Sequence, residues 1–260
     1  RTEVVEMDNV LDMETIDDLL SHFDQPFGDS SLIPSFFLSR ACKQTSAIVL
    51  LGGDGGDEQF YGYHSMHYLH ALNSFPTIKG MLHSMSGLLS KLIQDRRLTK
   101  MHHISGNLNE SFYFRNAWIL SDALSEDIKS ESLIKSIAYK WNIELEKTSN
   151  LDTMIINQFM RTTLLSDYLR KTDMMSMYNS VEYRVPFLDE DLVNYSLTIP
   201  KRKKYLNGKG KIPLRALHQD YYGGYGTQQS KKGFSIPYSE YLTSSEKKEM
   251  NDTIKIFMKI

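Results

Sequence analysis

Apolar positions along this chain recur with two periods, and the switch between them outlines its organisation. Residues 2–7 alternate as a strand does, and Met13, Ile16, Leu19, Leu20 and Phe23 then fall on one face of a helix that Asp12 can cap. Phe36, Phe37 and Leu38 belong to a second, apolar helix, with Pro34 in its first turn and Asp29 and Ser30 placed to cap it. Residues 46–51 have the length and β-branched content of a short parallel strand. Beyond Leu51 helical patterns dominate, among them residues 68–98, 111–128 and 151–169. Two parallel strands are too few for the twisted sheet that α/β layers need. The missing strands are therefore expected upstream, and the sequence is expected to be a C-terminal portion of a longer protein.

The strand over 46–51 runs into L-L-G-G-D-G-G-D-E-Q-F-Y-G-Y at residues 50–63, four glycines interleaved with Asp54, Asp57 and Glu58. Glycine accepts positive φ without strain and marks the end of the strand; a helix is expected to start near Glu58. Ligands of open α/β sheets bind beyond the carboxyl ends of the strands, which puts these acids at a candidate site. No Gly-Lys-Ser or Gly-Lys-Thr follows, and the third glycine of a dinucleotide fingerprint would fall on Glu58. The spacing does not supply the alternating ligands of an EF-hand either. Carboxylates repel phosphate unless a divalent cation lies between them, and Mg²⁺ uses one or two carboxylates plus phosphate oxygens. The competing reading is that Asp57 and Glu58 only offset the positive end of a helix dipole.

Composition narrows the classes without choosing among them. Lys plus Arg number 30 against 32 Asp plus Glu, a net charge of −2 over 260 residues, so the chain lacks the basic footprint of a nucleic-acid binder. The run at residues 201–204 reads as a solvated turn. A single cysteine, Cys42, excludes an internal disulfide framework and suits a reducing, cytoplasmic setting; within its apolar helix it is expected to be a buried structural thiol. No apolar stretch reaches the roughly 18 residues of a membrane span. His64, His67 and His70 recur every three residues, a spacing better explained by a polar helix face than by a metal site. The 13 methionines read as core filler.

Three further stretches complete a pattern. Residues 24–40 read D-Q-P-F-G-D-S-S-L-I-P-S-F-F-L-S-R, residues 164–189 include V-E-Y-R-V-P-F-L-D, and residues 231–237 read K-K-G-F-S-I-P. In these blocks, and in their order, the chain resembles the synthetase domain of glutamine-dependent asparagine synthetases, whose glycine loop reads S-G-E-G-A-D-E-L-F-G-G-Y. The resemblance covers most of residues 2–241 and is weakest over 64–148. It implies the C-terminal part of an adenine-nucleotide α-hydrolase-like (ATP pyrophosphatase) α/β domain, mostly helical here with few parallel strands. Residues 1–63 would be what remains of the nucleotide-binding core, and 64–260 the mainly helical part of the same domain.

The resemblance also implies a reaction: ATP activates a carboxylate to an acyl-adenylate with loss of pyrophosphate, and ammonia or an amine then attacks. ATP and Mg²⁺ are the implied cofactors. By position, Asp57 matches the metal-holding aspartate, Lys231 the lysine on the leaving phosphates, and Gly53 and Gly55 the phosphate side of the loop. Asp29, Asp54 and Asp167 fall where relatives line the substrate pocket, and Asp54 and Lys231 where they perform the chemistry. Asp54 departs from the family's glutamate and shortens the reach by one methylene, which weakens aspartate as the acceptor. Gly52 stands for the usual serine and Tyr61 for a glycine. Asp167, Lys171 and Asp173 border the site in relatives; Lys211 is read as a helix-surface residue, and Glu182 with Arg184 as a buried ion pair flanking a turn. Complete relatives carry an upstream glutaminase that supplies ammonia, and a homodimer is compatible with the family. The alternative is a noncatalytic or different-substrate relative, such as a natural-product amide ligase, a peptide cyclase or a scaffold domain.

Overall fold

A computed structural model describes residues 13–23, 27, 29, 31–93, 98, 101, 102, 104–106 and 150–223. In chain order its main elements are α1 (Met13–Ser21), α2 (Leu32–Gln44), β1 (Val49–Leu51), α3 (Gly56–Gln59), α4 (His64–Ser74), α5 (Pro76–Ile93), α6 (Leu151–Phe159), a π-helical stretch (Met160–Leu169), α7 (Arg170–Tyr178), β2 (Glu182–Arg184), α8 (Glu190–Thr198), α9 (Lys201–Lys204) and α10 (Ile212–Tyr222). The expected strand over 2–7, the helix over 111–128, and Asp12 and Ser30 lie outside the described residues. The described part falls into two compact units. One contains the residues up to Asp54 together with Leu164–Asp189; the other contains those from Gly55 to Thr163 together with 190–223.

In the first unit α1 buries Ile16 and Leu19, with Phe23 just beyond its end, and α2 buries Leu32, Ile33, Phe36 and Phe37. These join Met175 of α7 in one core. Each such side chain contributes about 1.5–3 kcal/mol on leaving water. Polar groups are matched at the α2–α7 contact: Ser39 Oγ donates to the Met175 carbonyl (2.8 Å), and Asn179 Nδ2 donates to Ser39 Oγ (2.9 Å). Cys42, expected to be buried, is half-buried, because it lies on the flank of α2 rather than on the face formed by residues 32, 33, 36 and 37.

The described strands pair in parallel, Val49 with Glu182, Leu50 with Tyr183 and Leu51 with Arg184. β1 falls within the strand expected over 46–51 but is shorter, and Glu182 and Arg184, expected to flank a turn, instead lie in a strand. Glu182 and Arg184 do form an ion pair (Nε to Oε1 2.8 Å), but both side chains are more than half exposed. Residues two apart share one face of a strand, and here that face is wet, so the pair is not buried and contributes little.

In the second unit Tyr61, Met66 and Leu69 pack with Ile155, Ile156 and Phe159 of α6. The helical pattern after the glycine loop is divided at Phe75, between α4 and α5, because Pro76 restricts the residue before it and suits a first helical turn. Asn207 (φ 49°) and Gly208 (φ 79°) form a tight turn bridged by Leu206 and Lys209, which delivers the chain to α10.

Candidate active site

The acidic loop is built from its glycines. Gly52 N–H donates to the Arg184 carbonyl (2.8 Å), which extends the β1–β2 ladder by one residue. A Cβ at Gly52 would lie 1.7 Å from the Tyr183 hydroxyl, so the close approach of that phenol requires glycine. The hydroxyl donates to Asp54 Oδ2 (2.8 Å). Burial, followed by the negative charge and hydrogen bond of Asp54, raises the Tyr183 pKa above its ordinary value, so the phenol stays protonated. A cavity of about 750 Å³ is lined by Tyr183, Leu165, Leu169, Arg170, Asp173 and Val185, among others. Gly53 has open space where a side chain would go.

The first unit also gathers Asp29, Ser31, Asp167 and Lys171. The Lys171 ammonium, almost fully buried, lies 2.5 Å from both Asp29 Oδ2 and Ser31 Oγ. Ser31 in turn donates to Asp29 through Oγ (2.6 Å) and its backbone N–H (3.0 Å). Burial alone would push the Asp29 carboxyl up, but the Lys171 and Ser31 hydrogen bonds outweigh it and hold it below its ordinary value. Asp167, on the π-helical stretch, has the opposite fate. Burial, and then the charge of Asp29, push its pKa to about 7, although Lys171 opposes them. Asp167 Oδ1 is buried without a hydrogen-bond partner among the described residues. Asp29 and Asp167 are both candidates from sequence; Lys171, expected only to border the site, is the cation that organises them.

In the second unit Gly55 takes a left-handed conformation (φ 89°) and its carbonyl receives Gln59 N–H (3.1 Å). The helix therefore starts at Gly56, two residues before the expected point. Its two acids separate at once. Glu58 is buried and accepts from the Tyr63 hydroxyl (2.7 Å), whereas Asp57 Oδ1 meets Lys211 Nζ at 2.9 Å. Lys211 is therefore not a simple helix-surface residue. Its N–H donates to the Phe60 carbonyl (2.8 Å) and its backbone is left-handed (φ 59°), which turns it onto the loop. Gly62 closes this corner: a Cβ there would lie 1.8 Å from Asp57 Oδ1 and 2.7 Å from Lys211 Cε. Sequence reasoning missed the pair because no local pattern links residue 57 to residue 211.

A separate network holds the second unit together. Asp152 Oδ1 accepts from the Tyr61 hydroxyl (2.7 Å) and lies 3.0 Å from His70 Nε2, while Oδ2 accepts Lys201 N–H (3.1 Å). Burial opposes ionisation of Asp152, but His70, Tyr61 and the Lys201 amide bring its pKa down to about 2. His67 stacks on Tyr205 with ring centroids 4.1 Å apart. His67 and His70 of α4 thus have structural partners, and no cluster of metal-ligating side chains occurs among the described residues. A cavity of about 640 Å³ beside His70, Asp152 and Lys201 contains none of the residues that sequence put forward. Lys231 and the surrounding 231–237 block lie outside the described residues. No described helix is long and apolar enough to cross a membrane.

Comparison with known proteins adds an independent line. The family model described as asparagine synthase matches residues 1–255. The chain is 27% identical over 256 residues to asparagine synthetase [glutamine-hydrolyzing] 1 of Bacillus subtilis (strain 168), covering 94% of this chain and 38% of that protein. It is 25% identical over 248 residues to a putative asparagine synthetase [glutamine-hydrolyzing] of Mycobacterium tuberculosis (strain H37Rv), covering 88% of this chain and 36% of the relative. A Methanocaldococcus jannaschii relative, named putative asparagine synthetase [glutamine-hydrolyzing] 2, is 28% identical over 187 residues, covering 67% of this chain and 34% of its own length. The chain thus spans little more than a third of these relatives. No solved structure matches it significantly.

Proposed function

Because this chain belongs to the asparagine synthase family, we propose that it is the synthetase portion of an ATP-dependent amide-forming ligase. In this proposal the protein adenylates a carboxylic acid with release of pyrophosphate and then passes the acyl group to ammonia or an amine. The nitrogen would come from an upstream glutaminase, by analogy with relatives named as glutamine-hydrolyzing. The fold would be the C-terminal part of an ATP pyrophosphatase-type α/β domain, with residues 1–63 in its nucleotide-binding core and 64–260 in its helical part.

The observation that carries the proposal is the Asp57–Lys211 pair on the glycine loop, at 2.9 Å and over a glycine that leaves no room for a side chain. One carboxylate beside one ammonium suits a Mg²⁺–phosphate group, since Mg²⁺ takes few protein carboxylates and fills its remaining positions with phosphate oxygens and water. When bound, the ion would neutralise charge on the leaving pyrophosphate. Asp57 would hold it, Lys211 and Lys231 would contact phosphate oxygens, and the backbone at Gly53 and Gly55 would border them. Fixed cations of this kind lower a barrier along which phosphate charge develops. Asp54 would act at the acceptor end, with Asp29 and Asp167 lining the acceptor's approach.

The test is pyrophosphate release by the full-length protein from ATP and Mg²⁺ across a panel of carboxylic acids, beginning with L-aspartate. Asp57→Ala and Lys231→Ala should abolish release while the circular dichroism spectrum is retained. Normal turnover in either variant would remove that residue from the site.

A further inference from the structure

We propose that Tyr183 is the positioning residue for Asp54, and that Gly52 is glycine to admit it. This inference rests on the ligase reading above for its catalytic consequence and on geometry alone for the pairing.

The parallel register explains the contact. Tyr183 lies opposite Leu50, and Gly52 follows Leu50 by two residues, so Gly52 and Leu50 share a face of the sheet. A long aromatic side chain can span that diagonal. The Tyr183 ring lies across the missing side chain of residue 52: a Cβ there would meet its hydroxyl at 1.7 Å, Cζ at 2.1 Å and Cε2 at 2.8 Å. Any larger residue must push the ring aside, and the ring cannot move without releasing Asp54 Oδ2, which the hydroxyl holds at 2.8 Å. Asp54 is shorter than a glutamate and sits on a glycine-rich turn, so its own backbone fixes it poorly. The phenol supplies the missing constraint and engages Oδ2, so that Oδ1 is presented for the acceptor. Tyr183 also lines the cavity of about 750 Å³ with Leu165, Leu169 and Val185, so the residue whose hydroxyl meets Asp54 is part of that cavity's wall.

The experiment uses the full-length protein and two readouts. With ATP, Mg²⁺ and the most active acid of the panel, Tyr183→Phe keeps the ring and deletes the hydroxyl. It should lower kcat about tenfold to a hundredfold, the scale of a carboxylate displaced by about 1 Å, with KM for ATP within about twofold. A purely structural tyrosine would leave kcat intact, and that result would overturn the positioning role. The second readout is thermal melting of Gly52→Ser, Tyr183→Ala and their combination. The serine should lower Tm when Tyr183 is present and have little effect when residue 183 is alanine, whereas additive shifts would overturn the pairing. If the wild-type protein releases no pyrophosphate from any acid, the ligase reading fails and the catalytic role of Tyr183 fails with it. The melting cycle still decides whether the ring occupies the space at Gly52, so the two failures can be told apart.

Discussion

Asp167→Asn should stabilise the protein at pH 8 and change it little at pH 4. The wild-type carboxyl is raised from an ordinary 3.8 to about 7, first by burial and then by Asp29. Between those values the folded state holds a proton that the unfolded chain releases. Stability is therefore lost as pH rises through this window, and above pH 7 the fold carries a buried charge it disfavours. The rise corresponds to roughly 4 kcal/mol at about 1.4 kcal/mol per pH unit. Solvent screening of this half-buried group reduces the expected effect to about 2 kcal/mol. Asparagine keeps the shape and can donate to Asp29 as the protonated acid does, but it has no proton to lose. Urea unfolding at pH 4 and pH 8, followed by circular dichroism, measures the difference between variant and wild type at each pH. An advantage equal at both pH values, or larger at pH 4, would refute the account of Asp167.

Three other substitutions probe the remaining charged contacts. Lys171→Met leaves Asp29 and Asp167 side by side without their cation and should cost about 3 kcal/mol in urea unfolding at pH 7; a loss under about 1 kcal/mol would mean that the ammonium does not organise the cluster. Asp152 is held at about 2, so its contribution is present above pH 3.8 and is lost as pH falls toward 2. Asp152→Asn should accordingly flatten the acid limb of the stability–pH curve, and an unchanged acid limb would argue against the network. Gly62→Ala must part Asp57 from Lys211; pyrophosphate release should fall at least about tenfold with the fold retained, as for loss of a charge-stabilising contact, and wild-type release would show that the pair is not needed.

What the sequence made visible was local. The buried face of α1, the existence of α2, the end of β1 and the glycine–acid loop each leave a signal within a few residues, whereas the face that α2 buries did not, since Leu38, one of its apolar positions, is exposed. β2 was not legible either, because three residues with two exposed charges carry no hydrophobic run or alternation to distinguish them from a turn. Within each unit the contacts around the candidate residues join distant segments: Lys171 with Asp29 and Tyr183 with Asp54 in the first, Lys211 with Asp57 in the second. Such pairs are set by register and by the reach of long side chains, and neither leaves a trace near either partner. Position-by-position resemblance could mark Asp54 and Asp57, but it could not say that one is held by a phenol and the other by an ammonium.

Tyr61 has a consequence for how this loop can change over time. It is fully buried, with a left-handed backbone (φ 55°), and its hydroxyl is tied to Asp152. That backbone costs roughly 1–2 kcal/mol for a residue with a side chain, a cost offset by the phenol's burial and hydrogen bond. Replacement by glycine would relax the main chain but empty a core position and leave Asp152 with fewer donors. Replacement of Asp152 would strand the phenol and His70 together. Positions 61, 70 and 152 thus form a linked set, and a lineage can leave this arrangement only through a destabilised intermediate or by changing several of them at once. Anyone grafting this loop onto a relative would have to carry all three.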